Sequence, residues 1–281
     1  TDERLTMAAG IYKKFVELLP YPLRLIENPT RTQDVMGPYR ELLSEGAREG
    51  FTPVILTLTE ALLEAMRMNL ADWAGCSQEQ TDACALTAYT QQLVEKHRSA
   101  LRGTTTTDIA QQAFTGTHPA AAAALFQGAG GGLADFYDHP DFTLHKDASG
   151  SEPVFLAAHQ VEDGMAQPGS LIVIAKIPAQ HPGDIPAYLP TGGWNNCPST
   201  DTQLAIAHYW YEKYGAYIAA VGGDKELEFN VTRPSTNPEA TKRLAAEQYI
   251  FCPELVGPIC SSFEELARGI YRNRQWYFWW E

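Results

Sequence analysis

Apolar side chains recur along residues 3–19 at Leu5, Ala8, Ala9, Tyr12, Phe15, Val16 and Leu19, the i, i+3, i+4, i+7 spacing of one helix face. Asp2 suits the N-cap, and Pro20 with Pro22 ends the element. Residues 21–50 read as loop and a short helix, with Pro38 near its start and Gly50 just past its end. The periodicity then changes. Thr52 to Leu58 is a short β-branched run that predicts a buried strand, followed at once by a helix over residues 59–69. Residues 78–101 predict a further helix, polar on one side, with Ala85, Leu86, Ala88, Tyr89, Leu93 and Val94 on the other. Residues 104–107, four threonines, read as a loop or cap. Residues 120–125 read as an alanine-rich helix broken by Gly128, Gly130, Gly131 and Gly132.

Beyond residue 150, strand-like runs occupy 154–158 and 171–177, and residues 178–198 form a Pro/Gly-rich connection. Thr200 or Asp201 caps a helix that reaches Tyr214 and is closed by Gly215. Residues 217–221, the turn Gly222-Gly223-Asp224 and residues 226–232 predict a hairpin, with Leu227, Phe229 and Val231 alternating. Asn237 and Pro238 open a helix to Phe251, a second helix spans 262–271, and residues 276–280 close the chain as an aromatic strand. There is no internal repeat and no regular βαβ alternation. The pattern predicts an α+β fold, an antiparallel or mixed sheet with packed helices. Residues 1–150 are the helix-rich part with one buried strand near 52–58, and residues 151–281 are the α+β part.

With 281 residues, 44% hydrophobic and 20% charged, the chain is long enough for a large core and too apolar to stay disordered. No apolar run approaches the roughly 20 residues that span a bilayer, which argues against a membrane protein. Thirty-four acidic against 21 basic residues leave a net charge of −13. That charge disfavours nucleic acid, since each phosphate contact needs local positive charge, and favours basic partners. The five cysteines, Cys76, Cys84, Cys197, Cys252 and Cys260, are odd in number and form no CxxC pair. They are expected to be reduced, mostly buried thiols with no disulfide among them. No basic-then-apolar segment opens the chain, so a cytoplasmic location is expected, or a periplasmic one if a signal peptide has been removed before residue 1.

Four constellations bear on chemistry. The glycines at 128–132 follow a helix rather than a strand and lack the pattern of a nucleotide-binding loop, so they read as a turn. Asp135, Asp138, His139, Asp141 and His145 crowd one Pro-containing loop. Their spacing matches neither a zinc helix nor a calcium loop, so they read as a solvated acidic loop, and no metal or cofactor is expected. Cys197 and Cys252 each precede a proline, and the nearest histidine to Cys197 is His208, eleven residues on. Burial is the expected state of both thiols. In the tail, alternation puts Trp276, Phe278 and Trp280 on one face and Tyr277 and Trp279 on the other. That second face is open to two readings: a partner surface, or the inner side of a strand buried on both faces.

The last third carries a set of ordered marks: Trp194-Asn195-Asn196-Cys197-Pro198, His208-Tyr209-Trp210, Tyr214-Gly215-Ala216, Leu227-Glu228, Arg233-Pro234, Ala245-Ala246-Glu247-Gln248-Tyr249, Phe251-Cys252-Pro253-Glu254, and Trp276 to Glu281. In these it resembles the bacterial DUF4253 family over about residues 190–281. Residues 50–54 extend the resemblance upstream, and Glu281 stands where an aspartate is more usual. The resemblance implies a fold module and a bacterial origin but no reaction. By analogy with small acidic bacterial α+β proteins, the expectation is a non-catalytic protein-binding protein, an immunity protein that neutralises a cognate toxin. Asp135, Asp138, Asp141, Tyr277 and Trp279 are its candidate contact residues. The alternative is a hydrolase-like enzyme built on the motif residues Asn196, Cys197, Glu228, Arg233, Glu247, Gln248, Cys252 and Glu281, gathered at one end of the sheet. Against it stands a structural role, in which Glu228 pairs with Arg233 across the hairpin end while Glu247 and Gln248 tie a helix to a loop.

Overall fold

The computed structural model describes residues 2–128, 132–138, 142–144, 152–163 and 171–281, with side chains from residue 9 on. The fold is α+β, and the six strands among the described residues form one mixed sheet in the order β1-β3-β2-β4-β5-β6. They are β1 (Leu23–Leu25), β2 (Thr52–Leu58), β3 (Leu171–Ile177), β4 (Ala216–Gly222), β5 (Glu226–Val231) and β6 (Gln275–Trp279). Neighbours run antiparallel except β2 and β4, which are parallel, with Ile55 opposite Ala220 and Leu56 opposite Val221. Every residue of β2 is buried, as its β-branched run requires of a strand covered on both faces. Pro53, which has no N–H for a ladder, lies before the stretch that pairs with β4.

Helices cover both faces of the sheet. Residues of α1 (Asp2–Leu18), α3 (Glu60–Ala74), α4 (Ala83–Leu101), α5 (Thr106–Thr117), α6 (Pro119–Gln127), α8 (Ile185–Tyr188), α9 (Thr200–Tyr214), α10 (Pro238–Phe251) and α11 (Phe263–Ile270) share one core with Val54, Leu56, Val173, Ile218, Phe229, Trp276 and Phe278. A smaller core on the opposite face joins Ile55, Ile172, Ile174, Tyr217, Ala219 and Ala220 to α2 (Thr32–Glu49) and α7 (Leu156–Glu162). The pairing of β4 with β5 slips between Ile218 and Ala220. The slip is a bulge that turns two successive residues, Ala219 and Ala220, to the smaller core.

Local chemistry explains the helix ends. Ser199, not the expected Thr200 or Asp201, caps α9 by accepting from the Thr202 N–H, and Gly215 closes it in the left-handed conformation (φ 59°) as expected. Asn237 caps α10, with Pro238 as its first residue.

Three segments differ from the sequence expectation. Residues 154–158 do not form a strand; α7 starts at Leu156. The threonines at 104–107 do supply a cap, Thr105, whose reciprocal box with Asp108 opens a full helix, α5, that was not expected. Residues 21–50 contain β1 and an 18-residue α2 rather than a short helix. All five cysteines are free, but only Cys197 and Cys252 are buried; Cys76 and Cys260 are half-buried and Cys84 is exposed. Among the described residues, no helix is long and apolar enough to cross a membrane.

Candidate functional site

The sequence motifs converge in part. The tight turn at 192–198 is closed by the Gly193 N–H to the Cys197 and Pro198 carbonyls and by the Cys197 N–H to the Trp194 carbonyl. A Cβ on Gly192 would lie 1.9 Å from the Pro198 carbonyl oxygen, so only glycine fits there. Around this turn Asn196 donates to Glu254 Oε1 at 3.0 Å, and Asn195 donates to the Glu281 carbonyl at 2.7 Å. The Cys252 thiol donates to the Trp279 carbonyl at 3.0 Å. Asn196, Cys197, Cys252, Glu254 and the chain end thus meet beyond β6, though at Glu281 the contact is through the backbone. Burial pushes the Cys197 thiol up to about 12 and raises that of Cys252 as well, so both stay protonated at neutral pH.

The other motif residues lie elsewhere. Glu247, on α10, accepts from Tyr209 Oη at 2.8 Å and Trp210 Nε1 at 3.3 Å, with Arg243 Nε 3.5 Å away; it ties α10 to α9 rather than to a loop. Burial raises its pKa against these donors. The buried Gln248 Nε2 has no hydrogen-bond partner among the described residues. Arg233 does not pair with Glu228. Its guanidinium donates to the Tyr211 and Glu212 carbonyls at 2.9 and 2.6 Å, capping the C-terminus of α9. Glu228 points to the opposite face of the sheet, where it accepts from the Leu156 N–H at 2.7 Å and Gln275 Nε2 at 2.6 Å. Burial pushes its carboxyl up to about 7, against those two donors.

Of the candidate contact residues, Asp135 and Asp138 are exposed, and Asp141 lies outside the described residues, as do His139 and His145. Trp276, Phe278 and Trp280 are fully buried on the α9 face. Tyr277 and Trp279 are half-buried on the other, and Tyr277 Oη donates to Glu226 Oε1 at 3.1 Å.

A second polar cluster escaped the sequence reading, which expected no metal ligands. The turn Pro182–Asp184 brings His181 and Asp184 against His208 of α9, and Asp184 Oδ1 lies 2.8 Å from His208 Nε2. His208 therefore partners Asp184, not Cys197, whose thiol sits 3.6 Å from Gln203 Nε2. The His181 and His208 rings stack 4.3 Å apart, and His97 of α4 packs 4.3 Å from His208 on a tilt. Arg98 approaches Asp184 Oδ2 at 3.4 Å. Burial, then the neighbouring His208, lowers His97 and His181 to about 4. Burial alone would raise Asp184, but the His208 hydrogen bond and nearby cationic groups leave it below its ordinary value. The local signal was the three-residue spacing of His181 and Asp184 beside Pro182-Gly183; nothing in it pointed to His208.

Residues 173–281 match the family model of DUF4253, a domain of unknown function. The match begins in β3, before the expected start near residue 190, takes in β4 to β6 and α8 to α11, and does not include residues 50–54. The DUF4253 segment thus supplies His181, Asp184 and His208, while His97 and Arg98 come from α4, outside it. No curated protein and no solved structure matches the chain.

Proposed function

We propose that the protein is a non-catalytic protein-binding protein, an acidic immunity-type protein that occludes a basic toxin in the bacterial cytoplasm. One observation carries the reading: most of the motif polar groups are spent inside the fold. Glu247 is held by Tyr209, Trp210 and Arg243, Arg233 by the end of α9, and Glu228 by α7 and Gln275, while the two motif thiols are kept neutral by burial. The sheet separates Glu228 from Glu247, so the hydrolase set does not assemble as one site. These groups make a scaffold, and recognition falls to the acidic surface, with a net charge of −13 to steer a basic partner.

The test is co-purification with the product of the adjacent gene, followed by co-expression toxicity. Protection from toxicity is expected, with an on-rate that falls as salt rises and that drops again on changing Asp135, Asp138 and Asp141 together to Asn. Substrate turnover by the purified protein, lost on Cys197→Ala, would replace this reading with the hydrolase one.

A further inference from the structure

The cluster around Asp184 is not used by the partner reading and stands independently of it. Its side chains come from three elements packed at one seam: His97 and Arg98 from α4, His181 and Asp184 from the turn before α8, and His208 from α9. We propose that His181, Asp184 and His208 form a binding site for a divalent transition-metal ion of the zinc type.

The donor set is the first argument. Two imidazoles and one carboxylate are ligands that zinc takes in three-residue sites, which keep a fourth position for water. Geometry is the second. One ring nitrogen of each histidine and one carboxylate oxygen of Asp184 all lie within 4.8 Å of one another. Zinc bonds of about 2.0–2.2 Å hold ligand atoms roughly 3.3–3.5 Å apart, so the group closes on an ion with side-chain shifts of about an ångström. Metal entry exchanges existing hydrogen bonds for coordination: the His208–Asp184 contact, and the Gly183 N–H donated to His181 Nδ1 at 3.0 Å.

The third argument is that the site is built and held. Asp184 and His208 are 1% and 7% exposed, so neither carboxylate nor imidazole is a loose surface group. Gly183 lets the two rings approach, because a Cβ there would lie 2.9 Å from both His181 Nδ1 and His208 Cδ2. The Tyr211 ring meets His181 edge-on at 4.6 Å and fixes its plane. Arg98 engages Asp184 through Oδ2, leaving Oδ1 on the histidine side. The fourth argument is independent of the ligands. His97 is 7% exposed, packs on His208, and its Nε2 has no hydrogen-bond partner among the described residues. Buried polar atoms are nearly always satisfied, so this imidazole calls for a polar neighbour such as a metal-bound water.

The experiment titrates the full chain, stripped with chelator, with zinc(II) by calorimetry and with cobalt(II) by visible absorption. One equivalent of zinc is expected to bind and raise the melting temperature. Cobalt is expected to give the spectrum of nitrogen and oxygen ligands, without thiolate charge-transfer bands. His181→Ala, a half-buried position, is expected to weaken binding by more than about tenfold, and Asp184→Asn by at least as much. Cys76→Ser with Cys84→Ser is expected to leave binding unchanged. If Asp184→Asn fails to fold, His181→Ala alone decides. The proposal is overturned by the absence of saturable binding, by full affinity in folded His181→Ala, or by loss of binding in the cysteine variant.

Discussion

On the α9 face of the sheet, Trp210 is ringed by Phe229, Phe251, Trp276 and Phe278 at centroid distances of 5.2–5.7 Å. On the α7 face, Ala157 and Ala158 share the smaller core with Ala219 and Ala220, beside the edge-on rings of Tyr39 and Phe155. One face is filled chiefly by packed rings, and the other combines a ring pair with small side chains from helix and strand. The buried acids differ in the same way. Glu247, among the rings, has two neutral donors and the cation of Arg243, whereas Glu228 accepts from a backbone N–H and a side-chain amide. The contrast teaches where each change should be felt: truncation most among the rings, and added volume most among the alanines.

The sharpest way to break the contrast is truncation among the rings. Trp210→Ala is expected to lower unfolding free energy by about 3–5 kcal/mol, from lost transfer energy plus the cavity left behind. Urea denaturation checks it, and an unchanged midpoint would remove Trp210 from the core. Next comes the pH dependence of Glu228. Its folded pKa of about 7 lies above the ordinary 4.5, so the folded chain holds this proton more tightly than the unfolded one. Its contribution is fully present below about pH 4.5 and is lost as pH rises through 7, about 3 kcal/mol in all. Glu228→Gln should flatten that part of the stability–pH curve, and an identical slope in the variant would place the titration elsewhere. On the alanine side, Ala220→Leu is expected to cost about 1–3 kcal/mol by overpacking against α7. Tolerance of that change would show the second face to be as loosely filled as a surface. The smallest effect belongs to the acidic segment. Asp138→Asn should move thermal stability by no more than about 0.5 kcal/mol while slowing association with a basic partner.

What could be read from the sequence follows from the range of the interaction that decides each element. β2, the β4–β5 hairpin, α9 and α10 announce themselves through a continuous β-branched run, strand alternation, turn and closing glycines, and the Asn237-Pro238 start, all within a few residues. α7 did not, because a five-residue apolar run suits strand and helix alike. The bond that satisfies its first N–H comes from Glu228, far along the chain. α5 was missed for a different reason: its Thr105–Asp108 capping box was present but hidden in a run of four threonines. The motif cluster was half legible. Asn196, Cys197 and Cys252 do meet, but sequence order could not show that the sheet would come between Glu228 and Glu247. The Asp184 cluster depends on α4 and α9 packing against one turn, which no local pattern encodes.

The parallel pairing of β2 with β4 sets a timetable for synthesis. Ile55 cannot find Ala220 until the chain has grown through most of its length, a wait of roughly 10–30 s at about 5–20 residues per second. Until β3 is made both edges of β2 are unpaired, and until β4 is made one still is, so the apolar strand remains a surface prone to aggregate. Productive folding of the nascent chain is thereby tied to arrival of the C-terminal segment. Truncation after residue 150 is expected to yield a chain that depends on chaperones, whatever the stability of its individual helices.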